Sequence, residues 1–250
     1  MIRHAWPRGW AAAKADYAAQ GFAILSGLYP PSVLAGFAAA LTQIEENAEA
    51  LAARLPGKLV FERDLPAHRR DGLTDVGAAL FLVNDLALFA AAFRPLHETP
   101  GVKGIFSELL GMDQPVLHYT NATIKQARFG RAIAWHRDFP NRYICPPDGR
   151  YLRLMLCLDG MTDGAGATMF YPGSQREDAT DDVAAYLAAQ SGMPVAAVCA
   201  PGDVVLIHPR VIHGGGMNRA ARPRRNLILQ AGSPVPATQP HEQLTGQGLG

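Results

Sequence analysis

Trp135-His136-Arg137-Asp138-Phe139-Pro140 is answered far along the chain by Ile212-His213-Gly214-Gly215-Gly216. On a strand, alternate side chains share a face, so His136 and Asp138 point one way and Arg137 the other. An imidazole and a carboxylate on one face, joined by a second imidazole from a distant strand, make a 2-His-1-carboxylate facial triad. That set suits iron(II), because it covers one octahedral face and leaves positions open for a co-substrate and dioxygen. An H-x-D triplet alone occurs in many solvated turns, so its meaning depends on the rest of the chain. His-Arg-Asp also opens the protein-kinase catalytic loop, which needs an Asn five residues after the Asp and a D-F-G elsewhere. Position 143 is Tyr and the chain has no D-F-G, which excludes that class.

Around these two stretches the second half of the chain consists of short β-rich runs. They are Pro115 to Lys125, Tyr151 to Leu158, Ala167 to Tyr171, Val195 to Cys199, Val204 to Ile207 and Leu227 to Gln230. Turn sequences separate them: Asp148-Gly149, Asp163-Gly164-Ala165-Gly166, Pro172-Gly173-Ser174 and Pro201-Gly202-Asp203. Many short strands with such punctuation predict a sandwich or jelly roll. The first half reads differently. Gly9 to Ala19, Leu86 to Phe93 and Val102 to Leu110 read as helices, Gly21 to Leu25 and Leu59 to Phe61 as strands, and Asp64 to Asp75 as a polar loop. From Val33 to Leu55 apolar residues recur at helical spacing, predicting one long amphipathic helix that Pro56-Gly57 ends. The expected fold class is α+β, mainly β: a double-stranded β-helix (jelly roll) core covered by N-terminal helices. That long helix would cover the outer face of the larger sheet and leave the space between the sheets as the pocket.

The chain's 250 residues, 48% hydrophobic and 18% charged, are enough for one large core. One domain over 1–250 is expected, with a helical layer over about 1–114, the core over about 115–232 and a flexible tail over 233–250. A net charge of +1 gives no global field for nucleic acid or an anionic membrane, so the expected partner is a small-molecule substrate. Cys145, Cys157 and Cys199 are odd in number and lack C-x-x-C spacing, which points to reduced thiols. No targeting segment is evident, and a cytoplasmic protein is expected.

Several motifs in order resemble the phytanoyl-CoA dioxygenase family of iron(II)/2-oxoglutarate oxygenases, of which ectoine hydroxylase is a member. They are Trp135-His136-Arg137-Asp138-Phe139, Tyr171-Pro172-Gly173-Ser174, Pro201-Gly202-Asp203-Val204-Val205-Leu206, and His213-Gly214-Gly215-Gly216-Met217-Asn218 ending in Arg222-Pro223-Arg224-Arg225. The resemblance spans roughly positions 115 to 232 and implies a jelly-roll core, Fe(II) held by His136, Asp138 and His213, and 2-oxoglutarate and O2 as co-substrates. The implied reaction is hydroxylation of a substrate C–H bond, and epimerisation, desaturation or cyclisation would share its opening steps. Asp138 disfavours a halogenase, which vacates the carboxylate position for a halide. Gly215 stands where the family often has Ser, and Gln175 where His often follows Pro-Gly-Ser.

The far carboxylate of 2-oxoglutarate needs a buried cation, for which a guanidinium fork is the best match. Arg224 lies eleven positions after His213, as the family's carboxylate-binding arginine does, and would share a strand face with Asn226 and Gln230. Arg225, on the opposite face, is the alternative. Lys125 and Thr123 are further candidates for the co-substrate, from a strand on which His118 and Tyr119 could equally face the pocket. A strand-end lysine is more often exposed. His208 reads as a strand-end residue, not a ligand. Arg128, Arg131, Arg142, Arg150 and Arg153 form either a solvated basic rim or a site for an anionic substrate, and the Phe139 to Gly149 loop is a candidate lid. A small polar metabolite, an amino acid or natural-product intermediate, is the expected substrate. The competing class is a non-catalytic jelly-roll metal-binding or ligand-binding protein; a cupin-like hydrolase or isomerase using another metal is a third.

Overall fold

The computed structural model of the protein describes residues 2–140, 144–176, 180–190 and 192–235. Its helices are α1 (Trp10–Gln20), α2 (Pro31–Glu46), α3 (Ala48–Arg54), α4 (Pro95–Glu98), α5 (Val102–Leu110) and α6 (Val183–Ala189). The early strands are β1 (Arg3–Ala5), β2 (Phe22–Ser26), β3 (Leu59–Phe61), β4 (Leu80–Asn84), β5 (Val116–Lys125) and β6 (Ile133–His136). The later strands are β7 (Tyr151–Cys157), β8 (Met169–Phe170), β9 (Val195–Ala196), β10 (Val204–Ile207), β11 (His213–Gly215) and β12 (Arg224–Gly232). One sheet runs β1-β2-β10-β7-β12-β5-β4-β3 and the other β6-β11-β8-β9. The fold is an α+β jelly roll with an N-terminal helical layer.

Side-chain alternation on the large sheet sets up the whole molecule. Leu152, Leu154 and Leu156 of β7, Val204 and Leu206 of β10, and Leu227 and Leu229 of β12 face outward and pack with Phe37, Leu41 and Ile44 of α2. The opposite face carries Met155, Cys157, Val205 and Ile207, which pack with Phe22, Phe170 and Val211 between the sheets. On β5 and β12 that inner face turns polar. Lys125 is paired with Arg224, Thr123 with Asn226, Asn121 with Ile228 and Tyr119 with Gln230. A one-residue slip would turn this row into the helical layer, so burial on both faces fixes the register.

The predicted helix from Val33 to Leu55 is two helices. Asn47 breaks it: its Nδ2 donates to the Gln43 carbonyl at 2.8 Å, a side-chain bond that competes with the helical ladder. The helix expected over Leu86 to Phe93 is a pair of 3-10 turns, Leu86–Leu88 and Ala91–Phe93. Asp85 before them is left-handed at φ 56° and Ala90 between them is extended at φ −156°, while Leu86 and Phe93 anchor the segment in the core. The expected polar loop after Asp64 is tied down by buried Arg70, which faces Glu62 at 3.4 Å and donates to the Leu65 carbonyl at 2.9 Å. The expected flexible tail begins later than Ser233, which is buried and donates to Asp148 at 2.8 Å; the rest of that expectation, from 236 onward, lies outside the described residues.

Phe37 is fully buried, 5.8 Å from Tyr29 and 6.0 Å from Phe93 between ring centroids, and fastens α2 to the sheet. Phe37→Ala is expected to lower unfolding free energy in urea by about 3–5 kcal/mol. A loss below about 1 kcal/mol would mean that the helical layer does not depend on this contact.

Candidate metal centre and its cavity

His136 ends β6 and His213 opens β11, and the two are direct cross-strand partners with ring centroids 4.2 Å apart. Asp138 lies beyond the end of β6, so its place beside His136 comes from loop bonds and not from strand alternation. Its N–H donates to the Pro209 carbonyl at 2.9 Å, and its own carbonyl accepts from Tyr151 Oη at 2.7 Å. His136 Nε2 lies 3.7 Å from Asp138 Oδ1 and His213 Nε2 3.8 Å from Oδ2. One ligand atom from each of the three lies within 4.8 Å of the others, which is a spacing that could hold a metal ion.

The surrounding bonds present these atoms for ligation. His136 Nδ1 is 2.8 Å from the Ala134 carbonyl and His213 Nδ1 3.0 Å from the Val211 carbonyl. A carbonyl only accepts, so both rings carry their proton on Nδ1 and turn the Nε2 lone pair inward. Burial, reinforced by His136, pushes the His213 pKa down to about 4, which keeps that ring neutral. Asp138 Oδ1 is ion-paired with Arg153, whereas Oδ2 is buried and lacks a hydrogen-bond partner among the described residues. An orphaned carboxylate oxygen facing two imidazole lone pairs fits a divalent cation, which would satisfy all three.

His136 and His213 share a cavity of about 130 Å³ with Thr123, Lys125, Arg224 and Asn226. Lys125 is buried, contrary to the expectation of an exposed strand end, because β5 carries it on the inner face opposite Arg224. Its Nζ donates to the Gly166 carbonyl at 3.0 Å and to the Gly216 carbonyl. Arg224 Nη1 donates to the same Gly166 carbonyl at 3.2 Å, while Arg224 Nε is buried with no partner among the described residues. Neither cation has a carboxylate in ion-pair range among the described residues. Burial first and Arg224 second lower the Lys125 pKa to about 6, and burial lowers that of Arg224 to about 10. Arg225 points the other way, gripping Asp159 at 2.8 Å from both Nε and Nη2 and reaching Glu45 at 3.3 Å.

Two departures from the family pattern have local causes. A Cβ on Gly215 would stand 2.9 Å from the Ala167 carbonyl and 3.3 Å from Lys125 Nζ, so the ammonium takes space a serine would need. Gln175 donates to the Ala18 carbonyl at 3.0 Å and sits so close to left-handed Gly21 that a Cβ there would be 2.6 Å from Oε1, so it fastens the end of α1. His208 lies outside the cavity, its Nδ1 accepting from the Arg210 N–H at 3.1 Å. His118 is enclosed between Gln230 Nε2 at 3.1 Å and the Ser233 carbonyl at 2.8 Å.

The five arginines do not form one rim. Arg128 is exposed, Arg150 donates to the Leu110 carbonyl at 2.7 Å at the end of α5, and Arg131 is buried over the Phe81 ring at 5.3 Å. Arg142 and positions 141–143 of the expected lid lie outside the described residues. Arg153 was legible only as a basic residue near the motif. Its Nε donates to Gln230 Oε1 at 3.0 Å, and it bonds the ligand carboxylate itself. The signal available was the alternation of β7, which places Arg153 on the pocket face with Met155.

Residues 17–226 match the family model of phytanoyl-CoA dioxygenase (PhyH), and the chain belongs to that family. Among solved structures it is similar to AviO1 from Streptomyces viridochromogenes, with a TM-score of 0.72 and 24% identity over 90% of this chain and 96% of that one. It is also similar to EctD from S. alaskensis with 2-oxoglutarate and 5-hydroxyectoine, with a TM-score of 0.74 and 22% identity over 95% and 79% of the two chains. A third is the α-ketoglutarate-dependent epimerase SnoN from nogalamycin biosynthesis, with a TM-score of 0.68 and 19% identity over 91% and 84%. At such identities the likeness establishes the jelly-roll fold. No sequence among curated proteins matches this chain. Family and fold together make the chain a dioxygenase-type enzyme of the iron/2-oxoglutarate class, and no helix among the described residues is long and apolar enough to cross a membrane.

Burial lowers the pKa values of His118 and His208 as well as His213 to about 4. All three are neutral in the fold, while unfolded imidazoles titrate near 6.5, so the unfolded chain takes up protons first. Their stabilising contribution is complete above that value and is lost as pH falls toward 4. The urea midpoint of metal-free protein is expected to drop steeply over this window, and His208→Gln, outside the cavity, to flatten the drop. A midpoint independent of pH there would contradict the neutral assignment.

Proposed function

We propose that this chain is an Fe(II)/2-oxoglutarate-dependent dioxygenase, one domain over its length, that hydroxylates a C–H bond of a small polar metabolite such as a natural-product intermediate. The observation that carries the reading is the pairing of opposites in one cavity. An orphaned carboxylate oxygen and two imidazoles stand at one end, and two buried basic groups with no carboxylate in ion-pair range among the described residues stand at the other. The first set fits a divalent metal and the second the far carboxylate of a dicarboxylic acid.

His136, Asp138 and His213 would hold iron(II), with Arg153 engaging Asp138 Oδ1 so that Oδ2 is the oxygen offered. Lys125 and Arg224 would bind the far carboxylate of 2-oxoglutarate, with Thr123 two residues before Lys125 on the same wall. Together iron and 2-oxoglutarate supply oxidative activation of dioxygen, one oxygen atom going to succinate and the other being available to the substrate. Around them the chain contributes a cavity whose walls include the apolar side chains of Met155, Ile207 and Ile228. An outcome other than hydroxylation has a specific basis in the neighbours: SnoN is an epimerase and SnoK a carbocyclase.

Protein loaded with iron(II) is expected to convert 2-oxoglutarate slowly to succinate in air without substrate. His136→Ala and Asp138→Ala are expected to reduce this at least about a hundredfold, since even loss of groups behind a metal ligand costs about 10–100-fold. No succinate from the wild type would remove the oxygenase reading in favour of a non-catalytic binding protein. Lys125→Met is expected to weaken 2-oxoglutarate binding while leaving ligand-free protein at least as stable, because it removes a buried basic group that has no carboxylate partner among the described residues. Destabilisation of the ligand-free variant would instead assign Lys125 to the scaffold.

A further inference from the structure

A second chamber of about 450 Å³ lies beside the metal-bearing cavity, against the inner face of β4 and β5. Phe81, Thr123, Arg153 and Ile228 line both spaces, so anything in the chamber abuts the metal site. We infer that this chamber takes the substrate, and that the substrate is an uncharged molecule with an apolar body and a hydroxyl or N–H group that donates to Asn121. The inference rests on the oxygenase reading and narrows it.

The volume is that of a small-molecule site, and most of the wall is apolar, including Val60, Leu65, Leu82 and Ile144. The polar groups are mainly amides and hydroxyls. Asn84 and Asn121 are cross-strand partners on β4 and β5, and both side chains line the chamber. Asn121 Oδ1 is buried and has no hydrogen-bond partner among the described residues. A buried acceptor left empty costs free energy that an incoming donor recovers.

Charge is what the chamber does not offer. Among the described residues no Asp, Glu, Lys or His lines it, and the cation that does, Arg153, is already bonded to Asp138 and Gln230. A substrate carboxylate would compete with the ligand Asp138 for that guanidinium, and an ammonium would meet no anion. The unpaired cations Lys125 and Arg224 line the metal-bearing cavity and are not part of this wall. The small polar amino acid considered from sequence therefore suits this chamber less well than a neutral hydroxylated or amide-bearing compound.

The test uses two pairs of probes matched in shape: benzamide against benzoate, and cyclohexanemethanol against cyclohexanecarboxylate. Their binding to zinc(II)- and 2-oxoglutarate-loaded protein is followed by saturation-transfer NMR. The neutral member of each pair is expected to bind at least about tenfold more tightly, the equivalent of one hydrogen bond of about 1.4 kcal/mol. Asn121→Leu is expected to abolish that preference and Asn121→Ser, which keeps an acceptor, to restore part of it. Equal binding within the pairs, tighter binding of the carboxylates, or no binding of either would overturn the inference. Substrate-free succinate release by the wild type reports separately: its absence removes the oxygenase reading, whereas its presence alongside a preference for carboxylates removes only the substrate assignment.

Discussion

Lys125 and Arg224 are buried side by side on neighbouring strands, two basic groups with no carboxylate in ion-pair range among the described residues, and burial together with Arg224 lowers the Lys125 pKa to about 6. A folded chain does not keep such a pair without compensation. Carbonyls of Gly166 and Gly216 accept hydrogen bonds from them, yet carbonyl dipoles do not neutralise a charge, and Arg224 Nε has no partner among the described residues. The β5–β12 register creates this arrangement, and the helical layer on the other face maintains it. Leu227 and Leu229 must meet α2, so Arg224 and Asn226 must face inward. The cost of the unpaired cations is thus imposed by the same packing that stabilises the sheet.

The small sheet supplies the complementary half. His136 and His213 face each other because β6 and β11 pair at that position, and each ring is turned by a carbonyl two residues before it in sequence. Asp138 completes the set from outside the strand, held through Pro209 and Tyr151. Arg153 is a second direct bond between the halves: it rises from the large sheet, takes one oxygen of Asp138 and leaves the other facing the imidazoles. Because Gln230 holds the same guanidinium and is itself bonded to His118 and to the Ile144 carbonyl, the carboxylate's position is tied to a buried polar network.

Much of this was legible in the sequence, for reasons that differ by region. The β-rich runs of the second half stood out because turn chemistry bounds each one, and the residues of the two candidate metal stretches lie where side-chain types alone limit the chemistry. Alternation on β12 separated Arg224 from Arg225, though only packing could show which face was inside. Asp138 was paired with His136 by strand alternation, but the strand has already ended, and loop bonds achieve the same proximity. The break at Asn47 was hidden because apolar spacing continues across it, while a non-helical backbone at one residue, φ −113° and ψ 19°, is enough to separate α2 from α3. β4 was missed because Leu80 to Asn84 lies in an apolar run whose strand character appears only on pairing with β3 and β5. Lys125 was harder still, since nothing local marks a strand-end lysine as buried.

The central claim is that metal and dicarboxylate occupy one cavity and depend on each other's half of it. Calorimetric titration of 2-oxoglutarate into manganese(II)-loaded protein, metal-free protein and manganese(II)-loaded Arg224→Met tests this most directly. Tight binding only to the first, with proton uptake as the Lys125 ammonium is restored, is the result this account requires. Equal affinity with and without metal, or undiminished affinity in Arg224→Met, would contradict it.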